Sequence, residues 1–295
     1  MKKRYVILLT TFFVSTIFFV SISMYLFTSI FIPNFNYLDE LVNPIHATST
    51  VESKEYIQIE ENNQILQGYL SCSASNIYVL VVHGYGGAGQ EMDWASSNFI
   101  EMGWNVLAID LQGNGSSEGN VTTLGTKEQE DIVAWINYLV DFDSESQIIL
   151  YGVSMGAVTI LNALDNELPT NVKAVIEDSA FTSIYELFEY HLNYSLSLST
   201  FPLLFLTKIY ASVCLGINIV EGPIDSLASN TIPILFIHGL DDICVPVSMA
   251  QELYDACTSE KQLYLVEDAG HVASNEVDKD YWNVIKEFIG QYVDQ

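Results

Sequence analysis

From residue 51 onward, short apolar runs alternate with longer segments of helical spacing, and this alternation limits the possible folds more than any other feature. The runs are Tyr56–Ile59, Gln64–Leu70, Ile77–Val82, Asn105–Ile109, Ile148–Tyr151, Val172–Ile176, Ile234–Ile237 and Gln262–Val266. From the third onward they are largely apolar rather than alternating, as parallel strands are when helices cover both faces. Between them, Glu128–Val140, Ala157–Leu164 and the terminal set Tyr281, Trp282, Ile285, Phe288, Ile289 and Tyr292 keep a helical period. The pattern predicts an α/β fold, with a mostly parallel eight-stranded sheet flanked by helices. Ligands of such sheets bind outside the carboxyl ends of the strands, so the residues just after each strand are the first candidates for chemistry.

The N-terminus is of another kind. After Lys2, Lys3 and Arg4 the chain runs from Tyr5 to Ile32 without a charge and meets Pro33. At ~1.5 Å per residue this exceeds the ~30 Å of a bilayer core. A cleaved signal peptide has a shorter apolar region of ~7–15 residues followed by a small-residue cleavage site. Residues 1–33 therefore read as a retained transmembrane anchor, with secretion after cleavage as the alternative. The basic residues ahead of it predict a cytoplasmic N-terminus and a single pass, with the rest on the outer face. Residues 34–50 read as a linker and 51–295 as one domain.

Composition excludes several classes. The chain is 49% hydrophobic and 16% charged, enough for a core and too little charge for disorder. Ten basic against 37 acidic residues give a net charge of −27, which would repel a nucleic-acid backbone. Arg4 is the only arginine, so the domain has no guanidinium clamp. Cys72, Cys214, Cys244 and Cys257 lack zinc-site spacing and read as buried free thiols.

The stretch Gly152-Val153-Ser154-Met155-Gly156 joins the strand-like run ending at Tyr151 to the helical run from Ala157. A G-x-S-x-G sequence in that context is a sharp turn presenting a serine at the sheet's edge. The serine hydroxyl is a weak nucleophile and needs a base within hydrogen-bond reach. Two further pieces follow in the order nucleophile, acid, histidine: a strand ending in His238-Gly239 with Asp241 and Asp242 beyond it, and a strand followed by Gly270-His271. His271 is the expected base and Asp242 its orienting carboxylate, with Asp241 and Asp178 as alternative acids. His83 and His238, at strand-to-glycine turns, are expected to serve backbone groups; His46 and His191 carry no motif.

With these motifs the chain resembles an α/β-hydrolase, close to bacterial serine hydrolases of the carboxylesterase or serine aminopeptidase type. The resemblance covers residues 55–292. It rests on His83-Gly84-Tyr85-Gly86-Gly87, on Asp110-Leu111-Gln112-Gly113-Asn114-Gly115, on the serine turn, and on H-G-x-x-D-x-x-V-P from His238 with its later Gly270-His271. The resemblance implies that the acid is the residue four after His238, Asp242. It implies an oxyanion hole from the N–H groups of Tyr85 and Met155. Relatives carry Arg and His where this chain has Gln112 and Asn114, positions outside the triad.

Residues 181–230 lie where such hydrolases insert a cap, and hold Phe181, Tyr185, Phe188, Tyr190, Tyr194, Phe201, Phe205 and Tyr210. These aromatics either line an apolar acyl pocket or form the cap's own core. The leading expectation is a carboxylic ester hydrolase acting on a small acyl ester, with no metal or organic cofactor implied. The alternatives are a peptidase or amidase that grips an amine through an acid such as Glu177 or Glu186, and a non-catalytic or acyl-transferring relative.

Overall fold

The computed structural model describes residues 2–32 and 54–294. Its strands are β1 (Glu55–Glu61), β2 (Gln64–Ser71), β3 (Ile77–Val82), β4 (Asn105–Ile109), β5 (Gln147–Val153), β6 (Val172–Asp178), β7 (Ile234–Gly239) and β8 (Lys261–Val266). They form one sheet in the order β1-β2-β4-β3-β5-β6-β7-β8. β2 runs antiparallel to β1 and β4, and all other neighbours are parallel. The β1–β2 hairpin closes over Asn62 and Asn63, both at positive φ, which a two-residue turn of this hand requires and asparagine tolerates.

The helices are α1 (Lys2–Phe31), α2 (Asp93–Glu101), α3 (Gln129–Phe142), α4 (Met155–Ala163), α5 (Ile184–Tyr190), α6 (Leu203–Tyr210), α7 (Ile224–Ser229), α8 (Val247–Ala256), α9 (Ser274–Val277) and α10 (Tyr281–Ile289). Successive strand residues feed opposite cores. Tyr78, Leu80 and Val82 of β3 join Leu107, Trp135 and Ile160 on one face. Ile77, Val79 and Val81 join Phe99, Tyr151 and Phe288 on the other. Both faces are therefore dry, which is why the sequence runs are apolar without alternation. α5, α6 and α7, with wider π turns at His191–Ser195 and Ala211–Leu215, fill the connection from β6 to β7.

One expectation falls outside the described residues, and two are modified by the structure. Residues 33–53, which include the expected linker and His46, lie outside the described residues. The apolar N-terminal helix is long and apolar enough to cross a membrane over Phe13–Phe31, yet its last turns are not free. Phe27, Ile30 and Phe31 are buried in the main core, and Phe31 O accepts from Thr122 N at 3.0 Å. The cysteines are unpaired, but only Cys257 is buried; Cys244 is half-buried, and Cys72 and Cys214 are exposed on segments with little packed above them.

Candidate active site

The turn from β5 into α4 is built by close backbone approach. A Cβ on Gly152 would lie 2.7 Å from the Gly156 carbonyl, and one on Gly156 would lie 2.5 Å from the carbonyl oxygens of Val82 and His83. Only glycine fits at either position. Ser154, between them, is held at φ 52° and ψ −119°. A non-glycine residue in such a region costs ~1–3 kcal/mol, which the surrounding structure must supply. Part of that support is the Ser154 N–H bond to Asp178 O at 2.8 Å, and another part is Val158 N–H donating to Ser154 O at 3.1 Å. The side chain is left half-exposed above the N-terminus of α4, whose free N–H groups favour negative charge.

Ser154 Oγ lies 2.9 Å from His271 Nε2, across 117 residues of sequence. His271 Nδ1 lies 2.7 Å from Asp242 Oδ2. The other oxygen, Asp242 Oδ1, accepts from the N–H groups of Cys244 and Val245, each at 2.8 Å. Burial works against ionisation of Asp242, but the donors His238 and His271 and the Val245 N–H outweigh it and hold the carboxyl well below the usual range. The arrangement is that of a hydroxyl facing a base whose far nitrogen is fixed by a buried carboxylate. It can remove a proton from the hydroxyl and stabilise the resulting imidazolium.

The rival acids are placed elsewhere. Asp241 is exposed to solvent. Asp178 is fully buried, where it accepts from Ser179 Oγ and Tyr281 Oη, both at 2.8 Å, and burial raises its carboxyl above the usual value. His83 donates from Nδ1 to Gly84 O at 2.7 Å and accepts from Leu111 N at Nε2, so both ring nitrogens serve the backbone. His238 Nε2 donates to Val245 O at 2.9 Å and lies 3.4 Å from Asp242 Oδ2, so it serves the backbone and backs the acid as well. Glu177 is buried, and Glu186 is exposed and occupied by Thr182 Oγ1.

Tyr85 and Met155 flank the nucleophile from two loops. Met155 opens α4, so its N–H has no intrahelical acceptor. A Cβ on Gly84 would lie 3.5 Å from Ser154 Cβ, which sets the Gly84-Tyr85 backbone beside the nucleophile. The Tyr85 hydroxyl donates to Ser29 O at 3.2 Å and Ile30 O at 3.0 Å, joining this loop to the end of α1. That contact was not legible in the sequence, nor was His191, whose Nε2 donates to Cys244 O at 2.8 Å and ties the cap to the loop of Asp242. His191 sits in no motif, the motif around Tyr85 assigns only its backbone N–H, and each side chain meets its partner only through the fold. The Asp110 loop is structural: its carboxylate accepts from Gly89 N, Ser116 N and Tyr69 Oη. Asp131, buried beneath Gln112, accepts the Gln112 N–H at 2.7 Å and is pushed up to about 8 by burial.

The cap aromatics divide three ways. Phe181 is buried, and Tyr185 and Phe188 pack on the core and on the cluster of Leu192, Leu203 and Leu204. Tyr190 stacks on Tyr194 with ring centroids 5.3 Å apart. Tyr194, Phe201 and Phe205 face outward, so they belong neither to a pocket nor to the cap's core.

Known proteins share this fold. A family model described as serine aminopeptidase, S33, matches residues 74–219, a span that includes Tyr85 and Ser154. An uncharacterized protein of Bacillus subtilis is 30% identical over 194 residues, covering 65% of this chain and 64% of that protein. An uncharacterized membrane protein of Saccharomyces cerevisiae is 29% identical over 191 residues, covering 65% and 62%. The chain spans less than two thirds of the length of these relatives. An esterase of Pyrococcus furiosus superposes with a TM-score of 0.69 at 24% identity, over 85% of this chain and 98% of that one.

Proposed function

We propose that this chain, which is an α/β-hydrolase, cleaves carboxylic esters through an acyl-enzyme on Ser154. The observation that carries the reading is the continuous line Ser154 Oγ, His271, Asp242, with contacts of 2.9 and 2.7 Å. Ser154 Oγ attacks the ester carbonyl carbon while His271 Nε2 takes its proton. The N–H groups of Met155 and Tyr85 receive the oxyanion, an interaction commonly worth ~3–4 kcal/mol in the transition state. Collapse breaks the bond to the alkoxy oxygen, which leaves with the proton from His271. Water, deprotonated by His271, then attacks the acyl-enzyme and releases the acid. Asp242 keeps the proton on Nδ1 and stabilises the imidazolium in both halves. α1 anchors the protein, with its N-terminus in the cytoplasm and the domain on the outer face.

The description of the matched family favours a second reading, a peptidase on small N-terminal groups. It is the weaker one, because the acids expected to grip an amine are buried, as Glu177 is, or already engaged, as Glu186 is. The test is kcat/KM on p-nitrophenyl esters of rising acyl length and on aminoacyl anilides, with Ser154→Ala beside the parent. The full chain is used because Phe31 and Tyr85 join α1 to the site. Ester turnover that depends on Ser154, with no anilide cleavage, is expected. Cleavage of anilides in preference to esters would transfer the assignment to the peptidase.

A further inference from the structure

Between Glu189 and Glu221 the sequence has no acidic residue, although the chain holds 37 acids against 10 basic residues. Lys208 is the only charged side chain in that stretch, and it is exposed. Here Phe201, Phe205, Ile209 and Val213 recur every four residues and are 70%, 54%, 40% and 78% exposed. A spacing of four places them on one stripe of α6 and its flanks. On the other side, Leu203, Leu204, Thr207 and Ala211 are buried. A helix that is apolar on both sides calls for cover on both, and a contiguous exposed apolar patch marks a protein or membrane contact.

The neighbour of this helix indicates which. Ile22 and Leu26 of α1 pack on the cluster of Leu192, Leu203 and Leu204, and Phe27 meets Tyr210 with ring centroids 6.0 Å apart. Tyr5, Phe13, Val14, Ile17, Phe18, Met24 and Tyr25 of α1 are exposed, and Tyr5 to Tyr25 spans ~30 Å at 1.5 Å per residue, the thickness of a bilayer core without the last turns. Those last turns are sunk in the domain, so α1 enters protein where the apolar face of the cap lies alongside it. An acid-free surface also avoids the repulsion that the rest of this anionic chain would meet at an anionic leaflet, and the Lys208 stem can lie on apolar surface with its ammonium among headgroups.

We propose that the Phe201–Phe205–Ile209–Val213 stripe is embedded in the bilayer leaflet from which α1 emerges, so that the cap over Ser154 rests directly on lipid. The proposal rests on the reading of α1 as an anchor, and its test separates the two. Full-length protein with Cys72→Ser and Cys214→Ser is reconstituted in phosphatidylcholine–phosphatidylglycerol vesicles with or without doxyl-labelled lipid. A nitrobenzoxadiazole label is placed in turn at Phe205→Cys, Val213→Cys, Phe18→Cys in α1, and Glu287→Cys in α10 on the opposite face of the sheet. Two separate stripe positions guard against one substitution disturbing the fold.

Labels at 205 and 213 are expected to be quenched by doxyl lipid to the degree seen at 18, while 287 is not quenched. Quenching at 18 with none at 205 and 213 would overturn the cap contact and leave the anchor standing. A blue-shifted but unquenched label at 205 and 213 would assign the stripe to a second copy of the chain and overturn the lipid contact. No quenching at 18 would overturn the anchor and this proposal with it. None of these readouts depends on turnover, so loss of the esterase reading is distinguishable from loss of this one.

Discussion

At the scale of single residues, the roles of the three aligned side chains differ, and so do the expected losses. Ser154→Ala removes the atom that bonds to the acyl group, and His271→Ala removes the base. Each is expected to lower kcat by roughly 10⁴-fold or more, with a near-parental thermal midpoint. Asp242→Asn keeps the shape but presents an amide that cannot hold the same imidazole tautomer, and a loss of roughly 10⁴-fold in kcat follows. Asp241→Asn, at an exposed position, is expected to leave kcat within a few-fold of the parent. Steady-state kinetics on one soluble ester compares all four. Parental turnover in Asp242→Asn would show that another group orients His271. The sequence made this triad legible because the order of its members follows the order of the strands, and each strand ends in a recognisable glycine turn. The choice of Asp242 over Asp241 and Asp178 rested on spacing and family likeness. Burial and direction separate them: Asp242 alone faces His271 Nδ1, while Asp178 is engaged by Ser179 and Tyr281.

At the scale of elements, the junction of β5 and α4 combines tight packing with strain. Gly156→Ala would push a Cβ to 2.5 Å from two backbone oxygens of the β3 end, and backbone cannot swing away as a side chain can. A loss of about 1–3 kcal/mol or more is expected, read as a fall in the urea midpoint at constant slope. The end of β6 carries a different stress. Glu177 is fully buried, one of its oxygens has no partner, and burial pushes its carboxyl up to about 8 from 4.5. Between those two values the folded protein holds a proton that the unfolded chain releases, so stability falls as pH rises from about 5 to 8 and levels off above. Asp131, also pushed up to about 8, acts in the same direction. Glu177→Gln removes one of the two titrations and is expected to flatten the decline of thermal midpoint with pH over that window; an unchanged slope would exclude Glu177 as a source. The central strands β3 to β7 and the helices α3 and α10 were legible because burial on both faces of the sheet leaves continuous apolar runs in the strands and a 3.6-residue period in the helices. The π turns at His191–Ser195 and Ala211–Leu215 were not, because their widening answers the packing of the cap rather than any local residue preference.

At the scale of the whole molecule, α1 is joined to the loop of Tyr85 as well as to the core. Its uniform apolar composition suits a membrane span, but the same uniformity hid the point at which the helix packs into the domain, since lipid and protein core accept Phe and Ile equally. From Phe27 onward the helix is buried in the domain, where Phe31 O receives the Thr122 N–H while Ser29 O and Ile30 O receive the Tyr85 hydroxyl. The residue bound to α1 by its side chain is thus the one whose backbone N–H is assigned to the oxyanion. Tyr85→Phe keeps the ring and the backbone and deletes only the hydroxyl. Its net effect on stability is expected to be about 1 kcal/mol, the usual contribution of one hydrogen bond. Its effect on catalysis is expected to be larger than its effect on binding. A loop released from α1 spends less time with the N–H aimed at the developing charge, so kcat falls several-fold while KM stays near the parental value. The rate of covalent labelling of Ser154 by an organophosphonate, which forms a charged tetrahedral centre, should fall in parallel. Parental kcat and labelling in Tyr85→Phe, measured on the full chain in vesicles, would mean that α1 holds the domain at the membrane without tuning the site. A parallel fall would make α1 part of the machinery that stabilises the transition state.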